Sequence, residues 1–76
     1  MLAKEEVFIR FGKNVKDARA DVGLTQSELA DRINIHKNYV GRIENGGSNP
    51  SLWMIYKIAT ALKKKPNELL NLNNSF

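Results

Sequence analysis

Two short helical patterns sit almost back to back between Thr25 and Asn45, and they limit the possible folds more than any other feature. Leu29, Ala30 and Ile33 recur at the spacing that gathers them on one side of a helix, and Val40 and Ile43 do so again. Only Asn34, Ile35 and His36 lie between the two helices so marked. Thr25 opens the first helix as its N-cap, with Glu28 placed to complete a capping box. Asn34 stops it, since Asn tolerates the left-handed backbone that a tight exit needs. Ile35 is apolar at once, so the turn itself is anchored in the core. His36 caps the next helix, which runs from about Lys37 to Asn45 and ends in Gly46 and Gly47. Ala30 is small where the two helices come close.

The rest of the chain reads as helices that enclose this pair. Phe8, Phe11, Val15 and Ala18 give an amphipathic first helix over roughly 5–21, with Glu5 and Glu6 in its first turn and Gly23 at its exit. Ser48 to Ser51 is a polar loop, and Ser51 is placed to cap a fourth helix from Leu52 to Leu62. Leu52, Ile55, Ile58, Ala59 and Leu62 form its apolar stripe; Trp53, Met54 and Tyr56 add large groups outside the stripe, which predicts burial on more than one side. Lys63, Lys64 and Lys65 read as a solvated helix end. Pro66 opens a short fifth helix carrying Leu69, Leu70 and Leu72, and Asn71 to Phe76 reads as a frayed tail. The expectation is an all-α, compact five-helix bundle, one domain over 1–76 with an ordered core of about 5–72.

Composition narrows the means of stabilisation and the classes of function. A chain of 76 residues makes one domain with a thin core. It has no cysteine, and His36 is its one histidine, so disulfides and a His or Cys metal site are both ruled out. Helix packing and association with a partner remain. No cofactor, metal or small-molecule ligand is expected. Only Met1 to Ala3 precede Lys4, Glu5 and Glu6, and no apolar run approaches the ~20 residues that span a bilayer. A cytoplasmic protein without a membrane partner is the expectation. The net charge of +4 favours phosphate-bearing partners. No paired carboxylates, nucleophile–base pair, phosphate loop or metal spacing points to an enzyme.

Packing Ile35, Val40 and Ile43 inward leaves Lys37, Asn38, Gly41, Arg42 and Asn45 on the open face of the third helix. A single helix fits the major groove of B-DNA, where Lys or Arg suits the O6 and N7 of guanine and Asn the N6 and N7 of adenine. Lys37, Asn38 and Arg42 are therefore the candidates for reading bases. Gly41 lowers helix propensity, and its use would be to let DNA or Gln26 approach closely. Thr25 is first a cap, but the helix start it occupies also suits a phosphate. So small a core cannot enclose all of Trp53, Met54, Tyr56, Leu69, Leu70 and Leu72. These are the candidates for a homodimer interface.

The run GLTQSELADRINIHKNYVGRIENG at 23–46, continued by NPSLWMIYKIATAL at 49–62 and PNELL at 66–70, resembles the lambda-repressor-like (XRE) helix-turn-helix regulators, over about Arg10 to Leu70. Asn34 departs from the pattern, which usually has Gly in the turn. Within that family KNYVGRIENGGSNPSL is similar to the controller proteins of restriction–modification systems, with Asn38-Tyr39-Val40-Gly41 and Asn49-Pro50-Ser51 at matching places. The resemblance implies double-stranded DNA as partner and a two-fold dimer on an inverted repeat, its recognition helices about 34 Å apart. It implies that Gln26 bonds a phosphate and braces a reading side chain, that Asn45, Ser48 and Asn49 meet phosphates, and that Arg19 and Glu44 form a structural ion pair. Ser27 and His36 join the supporting contacts, His36 as cap or phosphate neighbour. Tyr39 either packs under the helix or touches DNA, as its counterpart does in controller proteins. The competing reading is an antitoxin-type module whose fourth and fifth helices grip a toxin.

Overall fold

In the computed structural model, which describes residues 1–74, five α-helices follow one another: α1 (Lys4–Val22), α2 (Gln26–Arg32), α3 (Lys37–Glu44), α4 (Leu52–Ala61) and α5 (Pro66–Leu69), with a 3-10 turn at Leu72–Asn74. Side chains satisfy the first amides of most of them. Thr25 Oγ1 accepts from Glu28 N at 3.0 Å while Glu28 Oε1 accepts from Thr25 N at 2.8 Å, closing the capping box. His36 Nδ1 accepts from Asn38 N at 3.1 Å, and Ser51 Oγ from Met54 N at 3.1 Å. α1 has no side-chain cap, and Glu5 and Glu6 in its first turn face the positive end of the dipole. α5 starts on Pro66, and Glu68 Oε1 accepts from Lys65 N at 3.2 Å.

Four exits share one geometry. Gly23, Asn34, Gly46 and Lys63 all have positive φ, at 81°, 57°, 77° and 57°. Behind each, the next amide bonds to the carbonyl five residues earlier: Leu24 N to Arg19 O, Ile35 N to Ala30 O, Gly47 N to Arg42 O, and Lys64 N to Ala59 O. Asn34 thus does what the family's Gly does. Lys63 is the costly one, a β-carbon-bearing residue in a conformation that favours Gly or Asn.

The core gathers Phe11, Val15 and Ala18 from α1, Leu24, then Leu29, Ala30 and Ile33, Val40 and Ile43 from α3, Ile58, Ala59 and Leu62, and Leu69. α3 lies between α1 and α2 and packs on both. Its contact with α1 is backbone to backbone at Gly12, where a β-carbon would collide with Ile43 O and lie 2.8 Å from Glu44 O.

α4 corrects two expectations. Leu52 does not join the buried stripe; it is 78 % exposed, and Ile55 is half-buried. Burial on several sides does not occur within one chain: Ile58, Ala59 and Leu62 are buried and Met54 and Ile55 half-buried against the core, while Trp53 and Tyr56 stay exposed. The C-terminal segment corrects another. Leu69, expected at an interface, is 1 % exposed and belongs to the monomer core. Asn14 Nδ2 donates to Leu69 O (2.8 Å) and Asn71 O (3.2 Å), and Arg10 Nη1 donates to Leu72 O (2.9 Å). These bonds tie the end of α5 and the residues after it to α1. Ser75 and Phe76, the end of the expected frayed tail, lie outside the described residues.

Candidate nucleic-acid interface

Glu44 organises the site from beneath. It is the buried charged residue among those described. Its carboxylate accepts from Arg19 Nε at 2.7 Å, Arg19 Nη2 at 3.0 Å and Gln26 Nε2 at 3.0 Å. The fork of Arg19 matches both carboxylate oxygens, and its remaining nitrogen, Nη1, donates to Leu24 O at 2.7 Å. Burial works against a charge, but here hydrogen bonding to Glu44 outweighs it and pushes the Arg19 guanidinium pKa up. One network therefore joins α1, the loop after it, α2 and α3. The expected Arg19–Glu44 pair is present, with Gln26 as a third member that the sequence did not disclose.

Above this network an open groove separates the start of α2 from α3. Thr25, Gln26 and Ser27 line one side, Lys37, Asn38, Gly41, Arg42 and Asn45 the other, with Arg19, Gly23 and Leu24 beneath. Arg19, Lys37 and Arg42 are the charged residues of this lining; Glu44 neutralises Arg19 from beneath, and no carboxylate lines the groove beside Lys37 and Arg42. Lys37, Asn38 and Arg42 are exposed. The Arg42 guanidinium lies over the Tyr39 ring, 5.5 Å from its centre, and Tyr39 is half-buried against the core. Tyr39 thus packs under the helix and gives Arg42 a rigid support. His36, Ser48 and Asn49 stand outside the groove lining: His36 caps α3, and the other two follow in the loop after it.

Gly41 and Gly12 differ in what they do. A β-carbon at 41 would meet only Gln26 Oε1 at 3.7 Å and Nε2 at 3.9 Å, ordinary contact distances. Gly12 is instead demanded by the α1–α3 crossing, so it positions α3. Sequence reasoning missed it. The available signal was a helix-weakening Gly on the same face as Val15 and Phe11, where close approach to another backbone is the usual reason.

A second surface lies on α4. Leu52, Trp53, Tyr56 and Leu70 are exposed large apolar residues, with Trp53 and Tyr56 stacked at 5.7 Å. Leu52, Trp53, Ile55, Tyr56 and Pro66 line an almost wholly apolar groove. Met54 and Leu72, expected here, are half-buried against the core. Among the described residues no group of His, Cys, Asp and Glu could hold a metal ion, and no helix is long and apolar enough to cross a membrane.

Comparison with known proteins matches a helix-turn-helix family profile to residues 15–69. An uncharacterised HTH-type transcriptional regulator of Archaeoglobus fulgidus is 36 % identical over 55 residues, covering 72 % of this chain and 78 % of that protein. Control protein C.BamHI of Bacillus amyloliquefaciens is 37 % identical over 62 residues, 80 % of this chain and 76 % of its own. Among solved structures, the restriction–modification controller protein C.AhdI from Aeromonas hydrophila superposes with a TM-score of 0.79 at 40 % identity, over 82 % of this chain and 94 % of that one.

Proposed function

The chain belongs to the helix-turn-helix family of transcriptional regulators, and from that premise we propose that it binds an inverted-repeat operator as a homodimer, with α3 in the major groove. The observation that carries this reading is the groove over Glu44: Lys37 and Arg42 stand exposed on the open face of a helix that the buried Arg19–Glu44–Gln26 network holds in place. Lys37, Asn38 and Arg42 reach base edges. Thr25, Gln26 and Ser27 meet phosphate at the start of α2, and Asn45, Ser48, Asn49 and His36 flank α3 with further backbone contacts. Contacts of this second kind orient the protein without reading sequence.

Dimerisation runs through the exposed apolar face of α4 and Leu70. Covering that face stabilises a small core and sets two recognition helices about one DNA turn, ~34 Å, apart. The protein acts without catalysis in the cytoplasm, through its own concentration, because occupancy of a two-fold operator rises steeply as monomers pair. The likeness to C.BamHI and C.AhdI supports control of a restriction–modification system.

Arg42→Ala tests the reading face. Fluorescence anisotropy should show about 1–3 kcal/mol of lost affinity for the operator and relaxed choice at one base position. Equal operator affinity in parent and variant would contradict this placement of α3.

A further inference from the structure

Gly41 sits inside an eight-residue helix without a reason internal to the protein. Its backbone is outside the left-handed region, so its φ does not call for Gly. A β-carbon there would touch only the Gln26 amide, at 3.7 and 3.9 Å, with no backbone nearby. Gly12 shows the contrast, since there the neighbouring helix leaves no room for one. Gly41 weakens the helix, yet nothing in the described residues uses the space it leaves. That space opens into the cation-lined groove, one turn after Lys37 and Asn38 and next to Arg42.

We propose that Gly41 determines sequence specificity: its missing side chain leaves a notch in the reading face that receives the edge of a base pair between those reached by Asn38 and Arg42. The inference rests on the reading of α3 as the recognition helix. The Gln26 amide, held by Glu44, forms the back of the notch, so the space keeps its shape before DNA arrives. Any side chain at 41 would hold that base pair away and loosen the contacts of both neighbours.

The test compares the full chain with its Gly41→Ala and Gly41→Val variants on the selected operator and on an unrelated duplex of equal length at the same salt. Gly41→Ala should melt higher by roughly 4 °C, because Ala is the better helix former. It should bind the operator about tenfold more weakly and the unrelated duplex within about twofold of the parent. Gly41→Val should lose more operator affinity than Gly41→Ala. If helix flexibility were the reason for Gly, the order would reverse, since Ala stiffens the helix most. Unchanged operator binding by Gly41→Ala, stronger binding by Gly41→Val than by Gly41→Ala, or an equal loss on both duplexes would each overturn the proposal. The last of these would place a phosphate over Gly41. A parent chain that prefers no sequence overturns the recognition-helix reading itself, before any variant is compared.

Discussion

At position 44 a carboxylate is 7 % exposed, yet every hydrogen bond it accepts comes from a side chain that also lines the groove between α2 and α3. Arg19→Ala would leave that charge buried without its cation, so urea unfolding should show a loss of about 3–5 kcal/mol. A loss below about 1 kcal/mol would mean that water reaches Glu44 and the pair is an ordinary surface bridge. Gly12→Ala acts through backbone rather than charge. The new methyl meets Ile43 O and Glu44 O, neither of which can turn aside, and α1 and α3 must part. Thermal and urea unfolding should both report a loss of about 2–3 kcal/mol. A stabilised Gly12→Ala protein would contradict the close crossing. The Arg19–Glu44 pair was legible only through family resemblance, because residues so far apart in sequence give no local pattern. The link from Gln26 to Glu44 was not legible, since the resemblance turned Gln26 toward phosphate and a reading side chain and residues 18 apart in sequence give no local pattern.

Elements α1, α2 and α3 were legible for physical reasons that can be named. Thr25 with Glu28, His36, and the left-handed residues Gly23 and Asn34 mark their ends, and a 3.6-residue period marks their buried sides. The burial of α4 was misread because periodicity says which residues share a face and does not say whether a neighbour covers it; Leu52 extends the stripe but is left exposed. The bonds to Leu69, Asn71 and Leu72 come from distant donors, Arg10 and Asn14, and so leave no mark in the local sequence. The capping box also gives α2 a pH dependence. Backbone and side-chain bonds from Thr25 hold the Glu28 carboxyl pKa below its ordinary value. A depressed carboxyl adds stability that is present above its unfolded pKa and lost as pH falls through the folded one, so the loss belongs to the acid side, below about pH 4.3. Glu28→Gln, which can still cap, should flatten that part of the stability–pH curve. A variant with the same acid slope as the parent would show that other carboxylates set it.

For the whole molecule, the exposed α4 face is the feature that a single chain leaves unfinished. Trp53 is 63 % exposed and stacks on Tyr56, an arrangement suited to a pocket on a partner. In sedimentation, Trp53→Ala should raise the dimer dissociation constant about tenfold or more while the monomer keeps its helical spectrum. An unchanged dimer would move the interface elsewhere. The central claim, that a dimer presents two copies of α3 to DNA, is tested most directly by selecting binding sites from random duplexes at physiological salt, where non-specific phosphate binding is weak. The structure leads us to expect an inverted repeat with half-sites centred about one helical turn, ~34 Å, apart. Recovery of no motif, or of a lone half-site without symmetry, would contradict it.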